Sequence, residues 1–205
     1  MARYGRHSGT RSRAVPQGRF RIIGGEWRGR RLPVPADPDV RPTPDRVRET
    51  LFNWLAPVIA GARCLDLYAG SGALGFEALS RGAARVVFVD QAPAALRQID
   101  ASLKLLAAAG GETVRMEAMR YLEGPAAQFD VVFLDPPYRR GWLAPVMARL
   151  VEHGWLAPSA SVYLEHEAAA PAPSLPAGWH LFRSATAGQV RYHLARPDPG
   201  AVANP

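Results

Sequence analysis

The chain has 205 residues, of which 48% are hydrophobic and 21% charged, enough for one domain with its own core. No stretch approaches the ~20 apolar residues of a membrane span, no apolar h-region follows the basic start, and the single cysteine, Cys64, excludes an internal disulfide and a thiolate zinc cage; a cytoplasmic monomer is expected. The net charge of +7 is localised: residues 1–50 hold twelve arginines and five carboxylates, while the remainder holds thirteen bases and thirteen acids.

Arginine presents a planar fork that bonds phosphate through two parallel N–H groups. An arginine-rich segment on a neutral domain therefore reads as a polyanion-binding arm. Residues 1–18 are basic and lack an apolar period, which predicts a disordered tail. Over 19–34, short alternating runs around Gly24-Gly25 and Gly29 predict a small β-hairpin carrying Arg19, Arg21, Arg28, Arg30 and Arg31. Pro33, Pro35 and Pro38 extend it as a linker to residue 40. The main domain is expected to span 41–196. It opens with Thr43 as an N-cap and Pro44 in the first helical position, before a helix to Leu55 with Val47, Leu51, Phe52 and Leu55 on one face.

From residue 62 the pattern alternates. Apolar strands are predicted at 63–67, 85–89, 113–116, 130–134 and 161–165, with helices near 73–81, 92–109, 118–122 and 142–153. That is an α/β chain with a doubly wound, mostly parallel sheet. Residues 179–185 and 189–195 about Gly188 predict a closing antiparallel hairpin, and 197–205 a loose tail.

Two loops carry chemistry. After the first sheet strand, Asp66-Leu-Tyr68-Ala69-Gly70-Ser71-Gly72-Ala-Leu-Gly75 fits G-x-G-x-x-G between a strand and a helix. Glycines let the backbone approach a ligand, and the helix start offers free N–H groups. Asp90, followed by Gln91, ends the second strand, where a carboxylate can accept both ribose hydroxyls. These pieces alone suit a dinucleotide or S-adenosylmethionine. Asp66 favours the latter, because a carboxylate there repels a pyrophosphate and suits a methionyl ammonium.

The fourth strand runs into Asp135-Pro136-Pro137-Tyr138. An exocyclic base amine is a poor nucleophile, since its lone pair is delocalised into the ring. The Asp135 carboxylate and a carbonyl, that of Pro136, can accept its two N–H bonds and aim the nitrogen at a sulfonium methyl. Tyr138 can stack on the base. Such a transfer requires no metal and no covalent enzyme intermediate. Arg139 and Arg140 follow and can grip phosphates flanking a flipped base. His153, His166, His180 and His193 are scattered without metal-ligand spacing and read as structural; Trp54 and Trp155 read as packing residues, and Trp27 as closing the hairpin onto the domain.

Together these residues resemble class I methyltransferases of the N-methyl type, with a Rossmann-like sheet. They resemble more closely the bacterial 16S ribosomal RNA guanine-N2 methyltransferases of the RsmD type. The likeness covers about 20–195 and is most specific in Arg41-Pro-Thr-Pro-Asp-Arg-Val-Arg-Glu-Thr-Leu-Phe-Asn53, which generic DNA adenine methyltransferases lack. It implies that Arg41, Pro42 and Thr43 line the cofactor and target pocket. It also implies that the substrate is guanine in ribosomal RNA, in a small-subunit assembly particle, and that the hairpin grips it. Near the cofactor adenine, relatives carry Asp or Asn then Ala; here Glu117-Ala118-Met119 stands instead. Glu117 either reaches the adenine amine or points away. Three rivals remain at this stage: an adenine-N6 methyltransferase, a nicotinamide-dependent oxidoreductase, and a catalytically silent RNA-binding protein.

Overall fold

A computed structural model describes residues 18–35, 42–137 and 141–200. The tail before Gly18, most of the linker and the last five residues lie outside the described residues, as do Arg41, Tyr138, Arg139 and Arg140.

The predicted hairpin forms from β1 (Arg19–Arg21) and β2 (Arg31–Pro33), paired antiparallel with Phe20 opposite Leu32. Phe20, Ile22, Leu32 and Val34 are buried, whereas Arg19, Arg21, Arg28, Arg30 and Arg31 are exposed. The two-residue alternation of a strand thus separates an apolar face, laid on the domain, from an arginine face. Between the strands, Gly25 has φ +77, and a Cβ there would fall 1.8 Å from the Ser80 carbonyl oxygen. Glycine is required because the chain turns tightly against another backbone. The neighbouring Glu26 N–H donates to that same carbonyl at 2.7 Å, and Trp27 packs against the core, as expected.

Helix α1 (Asp45–Leu55) buries Val47, Leu51, Phe52 and Leu55, the predicted face, together with Arg48. One detail differs from expectation. Thr43 is not the N-cap: that position belongs to Pro44, without a side-chain bond, and the helix opens on Asp45. Thr43 is buried, its hydroxyl engaged elsewhere.

The main sheet has seven strands in the order β5-β4-β3-β6-β7-β9-β8. Strands β3 (Arg63–Asp66), β4 (Arg85–Asp90), β5 (Gly111–Arg115), β6 (Phe129–Leu134) and β7 (Leu156–Glu167) run parallel. Strands β8 (Trp179–Ala187) and β9 (Val190–Pro197) form the antiparallel closing hairpin, with β9 against β7. Pro197, expected in the tail, therefore belongs to the sheet. Helices α2 (Ala73–Ser80), α3 (Pro93–Leu106), α4 (Ala118–Leu122) and α5 (Leu143–Glu152) connect the parallel strands. The predicted 161–165 strand is longer because six residues of β7 pair with β9 on one side while β6 holds it on the other.

Two apolar clusters sandwich the sheet. One packs α1, α2, α3 and the N-terminal hairpin against Cys64, Val131, Phe133 and Tyr163. The other packs α4 and α5 against Leu65, Val132, Leu134 and Leu164. Successive residues point to opposite faces, so Cys64 sits in the first cluster, where burial raises its thiol pKa and makes it inert. Strand order reverses between β3 and β6. That is the switch point at which open α/β sheets bind ligands beyond the carboxyl ends of their strands.

Candidate active site

Both predicted loops meet at this switch point. Strands β3 and β6 are adjacent, with Asp66 opposite Phe133, so the chain leaving Asp66 and the chain leaving Leu134 emerge side by side. In the first loop Gly70 and Gly72 have φ of 51 and 75, the left-handed region that disfavours side chains. Gly72 caps α2. The buried Asp66 carboxylate accepts the Gly75 N–H of that helix at 3.1 Å. Burial raises its pKa to about 7, with the charge of Asp90 adding to the shift and the Gly75 bond opposing it. Asp90 accepts the Gly70 N–H and the Ala92 N–H, each at 2.8 Å. Asp90 and the glycine loop are thereby tied into one unit, with Ala69 anchored to Val89 and Ser71 buried beneath. Gln91 is exposed at its rim.

Glu117 stands at the start of α4 as its N-cap. Its carboxylate accepts from Met119 N–H at 3.0 Å and Arg120 N–H at 2.9 Å, capping α4. A carboxylate at a helix start is stabilised by the exposed N–H groups and the helix dipole. Facing it electrostatically is Tyr68, whose hydroxyl is buried and, among the described residues, has no hydrogen-bond partner. Buried donors are rarely left so.

Asp135 is the most perturbed group of the second loop. Burial pushes its pKa well above the carboxylate range, the charges of Glu165 and Asp66 push it further, and a hydrogen bond from the Thr43 hydroxyl opposes them. Pro136 is buried and Pro137 exposed. Glu165, on β7, is 3% exposed and accepts the Tyr163 hydroxyl at 2.5 Å. The structure thus brings Thr43, Asp66 and Asp135 together, with Tyr163 and Glu165 beside them.

Thr43 is held by a buried ion pair. Arg48 and Glu77 have fully buried side chains 3.3 Å apart. Arg48 also donates to the Thr43 carbonyl at 3.0 Å, the Arg21 carbonyl at 2.8 Å and Asp45 at 2.6 Å. Glu77 accepts the backbone N–H groups of Ile23 at 2.9 Å and Gly24 at 2.8 Å, and the Arg81 guanidinium at 2.9 Å. One pair therefore joins α1, α2, the hairpin and the Thr43 segment.

Two clefts flank the site. One, of about 530 Å³, lies between the hairpin and the Pro42–Asp45 segment and is lined by Arg19, Arg21, Arg31 and Thr43. Arg21 also reaches Asp45 at 3.2 Å, so it is partly neutralised. The other, of about 330 Å³, runs past Pro136, Pro137, Trp142, Glu165 and His166. The histidines are not all scattered: His166 and His193 stack, with their Nε2 atoms 3.0 Å apart. The Glu167 carbonyl, 2.8 Å from His166 Nδ1, can only accept, so that nitrogen carries the proton. Trp54 packs against Tyr192 with the rings tilted, and Trp155 donates to the Leu122 carbonyl at 3.1 Å; both are packing residues.

Comparison with known proteins accords with this geometry. Residues 20–196 match a family model described as conserved hypothetical protein 95. The chain is 50% identical over 188 residues to ribosomal RNA small subunit methyltransferase D of Escherichia coli K12, covering 92% of this chain and 91% of the relative. The chain belongs to the methyltransferase D family. The corresponding protein of Haemophilus influenzae is 43% identical, over 87% of this chain and 94% of its own length. Among solved structures, yhhF from Escherichia coli superposes with a TM-score of 0.83 at 48% identity, covering 88% of this chain and 98% of that one. HI0767 from Haemophilus influenzae gives 0.77 at 41%, covering 88% and 99%. The family assignment makes the protein a methyltransferase and removes the oxidoreductase reading.

Sequence reasoning did not assign Arg48, Glu77, Tyr163 or Glu165. The available signals were the only charge in Ala73–Ser80, Glu77, and the first carboxylate after the apolar run of β7, Glu165. Removing one partner of a buried ion pair strands the other charge at a cost of about 3–5 kcal/mol. Arg48→Met and Glu77→Gln should each lower stability by that order in urea unfolding. The double variant should lose less than the sum of the two.

Proposed function

We propose that the protein transfers a methyl group from S-adenosylmethionine to the exocyclic N2 of a guanine in small-subunit ribosomal RNA, as part of an assembling particle. The observation that carries the proposal is the junction of the Asp66–Gly75 loop, tied to Asp90, with the Asp135-Pro136-Pro137 loop at one switch point. The names of the relatives support the RNA substrate; guanine N2 rests on the resemblance of the motifs.

The residues present fit the cofactor. Asp66 suits a methionyl ammonium, Gly70 and Gly72 allow a close approach to the backbone, and Asp90 suits ribose hydroxyls. Tyr68 brings a buried donor in need of an acceptor. Ala69, Ser71, Gln91, Ala118 and Met119 complete the set, with Pro42 beside Thr43; Arg41 is added by the resemblance of the motifs alone, and Glu117 serves as the α4 cap. When bound, the cofactor supplies an electrophilic methyl group on a sulfonium.

The protein's own part is to hold and deprotonate the acceptor. One N–H of the guanine amine donates to Asp135 and the other to the Pro136 carbonyl, which aims the nitrogen lone pair. As the new N–C bond forms, the nitrogen sheds a proton, and burial, which raises the Asp135 pKa, makes its carboxylate a stronger base than an exposed one. Tyr138 stacks on the base, and Arg139 and Arg140 take flanking phosphates. The exposed faces of Arg19, Arg28, Arg30 and Arg31, with Arg21, hold the RNA backbone through a salt-sensitive contact.

The test is labelled methyl transfer to small-subunit RNA, and to particles from cells lacking the protein, with nucleoside analysis. N2-methylguanosine is expected. N6-methyladenosine would transfer the assignment to the adenine reading, and cofactor binding without label would indicate a silent binding protein. Asp135→Ala should abolish turnover while cofactor binding survives; equal loss of both would contradict its role. Asp66 adds a pH signature. Its pKa of about 7 leaves it largely neutral below that pH, whereas an ammonium requires the carboxylate. Cofactor affinity should fall about tenfold from pH 8 to pH 6, one factor of ten per unit below the pKa. In Asp66→Asn, calorimetric titration should find weaker binding that no longer changes across this range.

A further inference from the structure

We propose that the outer strand of the sheet carries a second RNA contact, a phosphate clamp in which the Phe182 ring holds the guanidinium groups of Arg183 and Arg196. The clamp rests on the RNA substrate of the proposed function, not on the base or atom methylated. Strand register builds it. Leu181 pairs with Ala195 and Arg183 with Leu194, so Phe182 is an extra residue in β8 without a partner on β9. Such a bulge re-aims a side chain. The ring centroid lies 4.3 Å from the guanidinium carbon of Arg196 and 5.2 Å from that of Arg183, with the His180 ring edge-on at 6.4 Å. Phe182 is 41% exposed, the only exposed aromatic side chain among the described residues.

Two positive charges gathered on one ring repel each other. Among the described residues neither guanidinium has a carboxylate partner. Asp198 faces His180 at 3.0 Å, and Arg196 uses its Nε on the Ser161 hydroxyl at 3.1 Å, which leaves its two Nη groups for another acceptor. Burial lowers the Arg196 pKa and the Arg183 charge lowers it further, with no carboxylate opposing either. An anion relieves the repulsion, and a phosphodiester matches the planar fork of each guanidinium. Charges alone can guard an edge strand against pairing, but guarding does not require a ring that holds two cations together. Placement favours RNA. Arg183 lies opposite Leu194, and Arg196 follows Leu194 by two residues, so both share the face of Tyr192 and Leu194, against which the arginine hairpin is also packed. Strand β8 runs in the direction of β7, and Phe182 lies about 17 Å before Ala187, which stands at the carboxyl end of the sheet, at a rise of about 3.3 Å per residue.

The probe is small-subunit RNA free of protein, bound across a salt series by wild type, Arg183→Gln, Arg196→Gln, Arg183→Lys and Phe182→Leu. Each glutamine variant should bind about fivefold more weakly and flatten the log–log salt dependence by about 0.7, the value of one phosphate on a single strand. Arg183→Lys should keep the slope, because the charge stays. Phe182→Leu should weaken binding with the slope retained, since both charges remain but are no longer held. Cofactor binding and the single-turnover rate at saturating RNA should match wild type throughout, which separates a clamp from a fold defect. Should Arg196→Gln fail to fold, the exposed Arg183 decides alone. Unchanged affinity or an unaltered slope in the glutamine variants, or a fall in the saturated rate, would overturn the clamp. So would wild-type protein that methylates particles yet binds no free RNA, or a loss seen only on particles, which would assign the patch to a protein partner. Phe182→Leu binding like wild type would remove the ring from the account. Wild-type protein that methylates neither RNA nor particles would instead overturn the function on which the clamp rests.

Discussion

The buried pair of Arg48 and Glu77 sits where four segments must agree. Neither side chain is exposed, and burial lowers the Arg48 pKa, with the charges of Glu77 and Asp45 opposing that shift. Desolvating two charges is costly, and the interior repays the cost only where further hydrogen bonds satisfy them. Here those bonds come from backbone groups of Arg21, Ile23, Gly24 and Thr43. The pair therefore specifies geometry more than it adds stability: it sets the hairpin on α2 and fixes the entry of α1. An apolar substitute could fill the space, but it would leave these backbone groups without partners.

From that frame the chemistry follows in short steps. The Thr43 carbonyl is held by Arg48, and its hydroxyl reaches Asp135. The charges of Glu165 and Asp66 act on Asp135 at this end of the sheet. Their crowding carries a stability cost with a defined sign. A carboxyl group whose folded pKa is raised stabilises the fold most below its unfolded value, near 4, and that contribution is lost as pH rises to the folded value. For Asp66 the loss is complete near pH 7.

Much of this was legible in the sequence for physical reasons. Strands and helices of a doubly wound sheet are buried on both sides and carry strong apolar signals, and glycine and proline punctuate the two loops. The face of α1 from Val47 to Leu55 and the arginine face of the hairpin also followed from periodicity. What escaped was long-range pairing. Glu77 reads as an ordinary helix residue until Ile23 and Gly24, more than fifty residues earlier, are laid on it. Thr43-Pro44 has the composition of a helix cap, but the tertiary bond to Asp135 took the threonine hydroxyl and left proline at the cap. The capping bonds of Glu117 to Met119 and Arg120 were likewise not singled out, because a longer carboxylate can either reach a ligand or fold back on its own helix. The pairing of His166 with His193 arises from the register of β7 against β9, which no short motif encodes.

Under the proposed function, the buried frame acts on the chemistry through the Thr43 hydroxyl, whose hydrogen bond opposes the upward shift of the Asp135 pKa. The most direct measurement is the pH dependence of single-turnover methyl transfer by Thr43→Val, beside wild type. Removing the bond raises the Asp135 pKa further, so the rising limb of the profile should move to higher pH. The two rates should approach one another at alkaline pH, with cofactor affinity unchanged. A loss of the same proportion at every pH, or an unmoved limb, would contradict the account.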